Sequence, residues 1–425
     1  MNAKFTRRSL LKAIVAATVS PVLISSVNAA TIPHIVVVGA GFSGATVAKY
    51  LKLWAGSSVQ VTIIEPNSTY VSPILSNLVL NHQKTTTDLS FSYVNYSQKY
   101  SINMVHDKVS HIDKTAKTIS LENGQSIPYD KLILAPGIEF EAVSGHDFTK
   151  VPHAWQAGEQ TNLLKSQIDA MSDGDSFVMS IPASPYRCPP GPYERACVVA
   201  DYLKNSKGFN NCTVTVLDEN AGIIVEADTF GAAFNEYGIN YIPDAVVSSV
   251  DSDNKVVNFS IDGGAIQSLA ATTLNIIPNQ KAGNIVFSAG LNSGNWAPVN
   301  PLNYESTMAA DIHIIGDSQG TGMPKAGHIG NSEAKICADA VLRSLNGLQP
   351  DPAPKTNSAC YSPVSSSTAT WLTIVYEYNS STQSMQPVSV PNLSGGYPAA
   401  SSGASTRNYN NMFNWAGNLF SDTFS

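Results

Sequence analysis

Residues 186–197 read YRCPPGPYERAC, placing two thiols around three prolines, a glycine and a Glu/Arg pair. Cysteine can be a nucleophile or half of a disulfide. Proline fixes φ and removes a backbone donor, so the cluster predicts a rigid turn. From these residues alone, Cys188 and Cys197 could each be a staple, a buried apolar filler or a working redox atom. The other cysteines are Cys212, Cys337 and Cys360, five in all, so at least one thiol stays free unless it pairs between chains. No C-x-x-C-H is present, so this chain should attach no c-type haem. No Cys/His spacing resembles a zinc site, and no metal is expected. Cys197 and Cys337 fall on helical patterns and Cys212 opens a strand, places where cysteine behaves as a small apolar residue. A Cys197–Cys212 bridge remains open.

The elements that must hold such a site begin at residue 34. His34–Val38 is an apolar strand running into Gly39-Ala40-Gly41-Phe42-Ser43-Gly44, a helical pattern and a second apolar run ending on Glu65. Strand, glycine turn, helix, strand and acid come in the order of a dinucleotide-binding unit. Gly39 serves the turn, Gly41 lets a phosphate approach the backbone, and Gly44 packs helix on sheet. The helix N-terminus faces the pyrophosphate and Glu65 the ribose. The fingerprint alone fits FAD or NAD.

Upstream, Thr6-Arg7-Arg8-Ser9-Leu10-Leu11-Lys12, an apolar stretch and Val27-Asn28-Ala29-Ala30 predict a twin-arginine export signal over residues 1–30, and hence a periplasmic protein. That route carries folded proteins, often with a cofactor inserted. Losing Lys4, Arg7, Arg8 and Lys12 lowers 25 basic residues to 21 against 32 acidic ones, a net charge near −11. Such a balance argues against nucleic acid and anionic membranes. No later run has the roughly 18 apolar residues of a membrane span, so no membrane insertion is expected.

Tyr129-Asp130-Lys131-Leu132-Ile133-Leu134-Ala135-Pro136-Gly137 resembles the segment that rejoins the FAD domain in disulfide-reductase-like flavoproteins. Ile312-His313-Ile314-Ile315-Gly316-Asp317 resembles their second FAD segment, in which the aspartate binds the ribityl chain. Met323-Pro324-Lys325-Ala326-Gly327-His328 then enters a helix whose N-terminus could face the flavin pyrimidine. The resemblance selects FAD, with Gly39, Gly41, Phe42, Ser43, Gly44, Glu65, Ala135, Gly137, Gly316, Asp317 and Lys325 as candidate cofactor-binding residues. It also implies an α/β fold of two Rossmann-like, three-layer dinucleotide-binding domains. The second should start with the strand Ser176–Ile181, yet Pro182–Pro192 replaces its glycine fingerprint. Prolines cannot present the N–H donors that a pyrophosphate needs, so no NAD site is expected.

The Tyr186–Ala196 segment, together with Asn357-Ser358-Ala359-Cys360-Tyr361-Ser362 and Trp415-Ala416-Gly417-Asn418-Leu419-Phe420-Ser421-Asp422-Thr423-Phe424, resembles the flavoprotein subunit of flavocytochrome c sulfide dehydrogenase. The resemblance runs from the leader to the last residue. It implies a redox-active disulfide between Cys188 and Cys360 over the flavin, Glu194 as proton acceptor and Trp415 at the cofactor. Sulfide would be oxidised to sulfur or polysulfide, with electrons passing to a c-type cytochrome. No cysteine precedes Cys188, so FAD should be non-covalent. A sulfide:quinone oxidoreductase-like enzyme remains an alternative, as does a flavin electron-transfer subunit whose cysteines are structural. A type II NADH dehydrogenase would need the missing second fingerprint. Glu194 could instead form a surface salt bridge with Arg195 or Arg187, while His313 and His328 read as core or loop residues.

The expected organisation is an FAD domain over 31–150 and 278–345, an NAD-domain-like unit over 151–277 and a small α+β C-terminal domain over 346–425. A helix is predicted over Glu194–Leu203 and strands around Thr368–Tyr378. The Ser/Gly/Asn-rich run 392–411 reads as loop or partner surface.

Overall fold

A computed structural model describes residues 32–388 and 400–425. The predicted leader and residues 392–399 lie outside them.

His34–Val38 lies at the centre of a five-stranded parallel sheet. Its neighbours are Gln60–Ile64, with Asn103–Val105 beyond, and on the other side Lys131–Leu134, with Ile312–Ile314 beyond. A strand alternates its side chains, and this sheet is covered on both faces, so both sets must be apolar. Ile35 and Val37 pack under the helices Phe42–Ala55 and Gly327–Leu345. Val36 and Val38 face Ile112, Ile119 and Ile127 of a three-stranded antiparallel sheet. The result is three layers.

The second domain repeats the plan. Asn240–Ile242, Thr213–Asp218, Ser176–Ile181 and Thr273–Asn275 form a parallel sheet. Phe177, Met179 and Ile181 pack on the helix Gly191–Asp201, while Val178 meets Val250, Val257 and Phe259 of an antiparallel sheet. Ile138–Phe140 and Gln280–Ala282 pair where the chain leaves the first domain and returns to it.

The helix predicted to begin at Glu194 begins at Gly191, with Pro190 as N-cap and Pro192 inside the first turn. The first turn of a helix has no intrahelical use for its N–H groups, so proline is tolerated there. The rigid turn and the helix are one element.

After Leu345 the strands Lys355–Pro363 and Ala369–Asn379 pair antiparallel, with Ser384–Pro387 and Ala400–Ser405 completing the sheet. Thr406–Phe424 is a helix, capped by the Ser405 side chain accepting from Asn408 N. The loop expected through residue 411 is therefore strand and helix from 400 onward. Tyr409, Met412, Ala416, Leu419 and Thr423 are buried at spacings of three and four. The end of this helix is tied to the first domain. Tyr50 Oη donates to Asp422 Oδ1 at 2.6 Å, Tyr96 Oη to Thr423 O at 2.5 Å, and Lys335 pairs with Asp422 at 2.8 Å. Phe424 stacks on Tyr70 and Phe91 and lies 5.5 Å from the Phe42 ring.

Among the described residues, no helix is long and apolar enough to cross a membrane.

Candidate active site: a cofactor cleft and a thiol cavity with a common wall

A cleft of about 780 Å³ opens at the carboxyl ends of the first parallel sheet. Gly39, Gly41, Phe42, Ser43, Glu65, Ala135, Gly137, Gly316 and Asp317 all line it. Gly44 lies behind, where the helix crosses the strand end so closely that a Cβ would run into the Gly39 carbonyl oxygen. The Phe42–Ala55 helix has no side-chain cap and no acid in its first turn, leaving its N–H groups for an anion. Glu65 closes the second strand, its Oε2 accepting from Ala40 N and its Oε1 from Asn67. Three accepted bonds fix the carboxylate and leave it about one acceptor site for a ribose hydroxyl. Burial raises the Asp317 carboxyl, opposed by Arg187 and Lys325. An uncapped helix end, two acids at separate places and an extended cleft fit the pyrophosphate, ribose and ribityl groups of FAD.

Two expected cofactor residues lie elsewhere. Lys325 is buried with its Nζ on Gln319 O at 2.7 Å and 3.6 Å from the Trp296 ring centre, outside the cleft lining. Its backbone carbonyl accepts from Cys188 N at 2.7 Å, so it steadies the thiol loop. Trp415 also sits outside the cleft, in the wall of a second cavity.

That second cavity, about 70 Å³, is where Cys188, Cys360 and Glu194 come together. Pro73, Arg187, Ala326 and Gly327 belong to both linings, so the thiol cavity and the cofactor cleft share one wall. Cys188 arrives from the turn after Ser176–Ile181 with φ of 58°, a left-handed conformation rare for a side-chain-bearing residue. Gly191 leaves its sulfur room, since a Cβ there would lie 2.9 Å from Cys188 Sγ and 2.8 Å from the Trp155 ring. Cys360 comes from the first strand of the C-terminal sheet, opposite Leu372. Both are free thiols here, as are Cys197, Cys212 and Cys337, so neither the Cys188–Cys360 nor the Cys197–Cys212 bridge is formed. Burial pushes the Cys188 thiol up to about 12, with nearby Glu194 adding to the rise and Arg187 opposing it. Burial also raises Cys360 far above the ordinary thiol range, reinforced by Cys188 and Glu194.

Glu194 is 8% exposed and makes no salt bridge among the described residues. Asn77 Nδ2 donates to its Oε1 at 2.9 Å and to Gly191 O at 3.1 Å. Burial lifts its carboxyl to about 8, against the pull of Asn77 and Arg195. Most Glu194 side chains are then protonated at neutral pH. Asn77 carried a signal that sequence reading passed over, being a lone amide in the apolar run Leu75–Leu80. His328, read from the sequence as a core or loop residue, also belongs to the site. It lines the thiol cavity, its Nδ1 accepting from Ala359 N at 3.0 Å beside Cys360.

Three family models match the chain in succession. Residues 33–167 match the pyridine nucleotide-disulphide oxidoreductases, and residues 161–278 the central part of the sulfide dehydrogenase (flavocytochrome c) flavoprotein chain. Residues 352–424 match the flavin-binding part of flavocytochrome c sulphide dehydrogenase. A sulfide-quinone reductase from Aquifex aeolicus (strain VF5) is 21% identical over 355 residues, 77% of this chain and 80% of the relative. The crystal structure of the sulfide:quinone oxidoreductase from Aquifex aeolicus superposes with a TM-score of 0.75 at 16% identity, covering 92% of each chain. NDH2 from Plasmodium falciparum gives 0.64 at 11% identity, over 80% of this chain and 90% of that one.

Fold and cleft together define an FAD-dependent oxidoreductase of the disulfide-reductase type. Within that class the chain belongs to the flavocytochrome c sulfide dehydrogenase flavoproteins, which are sulfide:quinone oxidoreductase-like.

Proposed function

We propose that the protein oxidises sulfide at Cys188 and Cys360, delivers the electrons to FAD in the adjoining cleft, and passes them on to a c-type cytochrome. The observation that carries this reading is the common wall. Two thiols from different parts of the fold and a protonatable acid line one small cavity that abuts a dinucleotide cleft. The matching family implies sulfide as substrate and a cytochrome as partner. The leader motif supports export to the periplasm.

In the oxidised state Cys188 and Cys360 would be joined. Hydrosulfide would attack one sulfur, forming a persulfide and breaking the S–S bond, with the bonding pair leaving on the other cysteine. In this buried wall a thiolate is costly, and Glu194 can hold or return its proton at Oε. Glu194 thus serves first as donor, where the sequence suggested an acceptor. Bound FAD would accept an electron pair and release it as single electrons, which suits a haem acceptor. Gly39, Gly41–Ser43, Gly316 and Asp317 would hold it. Arg187, between cleft and cavity, anchors the thiol loop through its guanidinium on the Trp155 carbonyl and its N–H on Gln280 Oε1.

Anaerobic addition of sulfide to the purified holoprotein tests this. The oxidised flavin band should bleach at about one sulfide per flavin, and a Cys188→Ser variant should resist. Equal bleaching of both would make the cysteines structural; no bleaching of wild type would end the sulfide assignment.

A further inference from the structure

Arg195 follows Glu194 and is 1% exposed, yet it makes no ion pair among the described residues. Its guanidinium is held by neutral acceptors. Nε donates to Asn77 Oδ1 at 3.0 Å, Nη1 to His153 O at 3.1 Å and Asn275 Oδ1 at 3.0 Å, and Nη2 to Ala154 O at 2.6 Å. The group also lies 4.9 Å over the Trp155 ring. Four of its five N–H groups are used, and the fifth, on Nη2, has no partner among the described residues. The side chain lines the thiol cavity.

The obvious counter-ion is kept away. Asn77 stands between Glu194 and Arg195, donating to the carboxyl and accepting from the guanidinium. The amide solvates both without letting them meet. Burial lowers the Arg195 guanidinium to about 9; of the charged and titratable groups acting on it, Glu194 and Cys188 favour its charge and Arg187 opposes it. His153, whose carbonyl it holds, is buried and kept neutral. While Glu194 and the two thiols are protonated, the cavity wall carries two cations, Arg195 and Arg187, neither with an ion-pair partner among the described residues, and Arg195 is the buried one beside the thiols. Charges are rarely buried unpaired, because desolvation costs several kcal/mol. The unpaired charge, the spare donor and the small cavity have one use in common.

We propose that Arg195 makes the thiol cavity an anion subsite, so that it takes its sulfur substrate as the monoanion, hydrosulfide, and stabilises the anionic sulfur left when a cysteine pair opens. This rests on the sulfide reading above and specifies the form in which substrate binds. A cavity of about 70 Å³ holds two or three heavy atoms, which suits hydrosulfide or a persulfide terminus. Glu194 tunes the subsite, since its ionisation supplies the missing negative charge and expels the anion.

Azide is a small, non-reducing monoanion, and its binding to the holoprotein can be followed by calorimetry without turnover. Wild type should bind azide at pH 7 and lose at least about tenfold in affinity by pH 9, as Glu194 ionises and the buried guanidinium of Arg195 begins to lose its own proton. Arg195→Lys, which keeps the charge, should retain binding. Arg195→Met should abolish it, and so should Asn77→Asp, which places a carboxylate on the guanidinium without truncating it. Failure of wild type to bind azide, or undiminished binding in Asn77→Asp, overturns the anion subsite even if Arg195→Met does not fold. Sulfide bleaching is scored separately. Arg195-dependent azide binding in a protein that sulfide cannot reduce would leave the subsite standing and remove the sulfide reading.

Discussion

Glu194 sits where its proton matters twice. Its carboxyl is raised by burial from about 4.5 to about 8, so the folded protein holds a proton that the unfolded chain releases at lower pH. Stability from this group is present below the unfolded value and is lost as pH rises toward the folded one. Between pH 5 and pH 8 the melting temperature of wild type should therefore fall further than that of Glu194→Gln. Equal slopes would show that Glu194 ionises normally. The same variant cannot exchange a proton with the departing sulfur, so its rate of flavin reduction by sulfide should drop about 100-fold, the usual scale for a lost acid–base group. A stopped-flow trace reads that rate directly. Cys188 was legible as a candidate because its segment is dense in unusual residues, whereas the role of Glu194 came only from the family resemblance. Cys360 was not legible, since nothing local sets it apart, and only the family resemblance pointed to it. Asn77 escaped because its importance comes from two partners more than 110 residues away.

The helix Gly191–Asp201 is the element on which the thiol site turns. Its N-terminal prolines set the approach of Cys188, and its second turn carries Arg195. Gly191→Ala would place a methyl group in contact with both Cys188 Sγ and the Trp155 ring. Overpacking of this kind costs about 1–3 kcal/mol and moves what can move, here the thiol. The variant should melt lower, and Cys188 should change its rate of alkylation while Cys212 does not. Unchanged melting and alkylation would mean the turn relaxes freely. Element legibility followed packing. His34–Val38 and Ser176–Ile181 were readable because a strand covered on both faces is apolar throughout. The helix Thr406–Phe424 was hidden, although its buried residues recur at three and four, because Asn and Ser fill the positions between. Its start was also masked by the preceding Ser/Gly run, which pairs as a strand only through its partner Ala369–Asn379.

At the scale of the molecule, the cofactor cleft is assembled from segments near residues 39, 65, 135 and 316, which no single stretch of chain can provide. FAD should therefore act as a ligand of the native state alone, adding about 2.7 kcal/mol when present at 100 times its Kd. Stripping FAD should lower the melting temperature and readdition restore it. Gly44→Ala should show no such recovery, because its methyl group drives the first helix off the strand end. Full recovery in that variant would separate the cleft from the cofactor. The layered α/β plan was legible from motif order, since strand, turn and helix must alternate to build it. The separation of charge around Asn77 was not, because it depends on how two domains and their connections meet.

The hold of Asp422 and Thr423 on Tyr50 and Tyr96 spans 372 and 327 residues of sequence. A ribosome delivers the chain from the other end, so the fingerprint helix waits for more than 300 further residues before its outer face is covered. Closing so large a loop is slow and comes late. The aromatic floor under Phe42 and Tyr70 is laid by Phe424 at the same moment. The dinucleotide pocket is thus finished only once Phe424 has emerged and docked, and a fragment ending before residue 420 would expose the Phe42, Tyr70 and Phe91 rings to quality-control proteases.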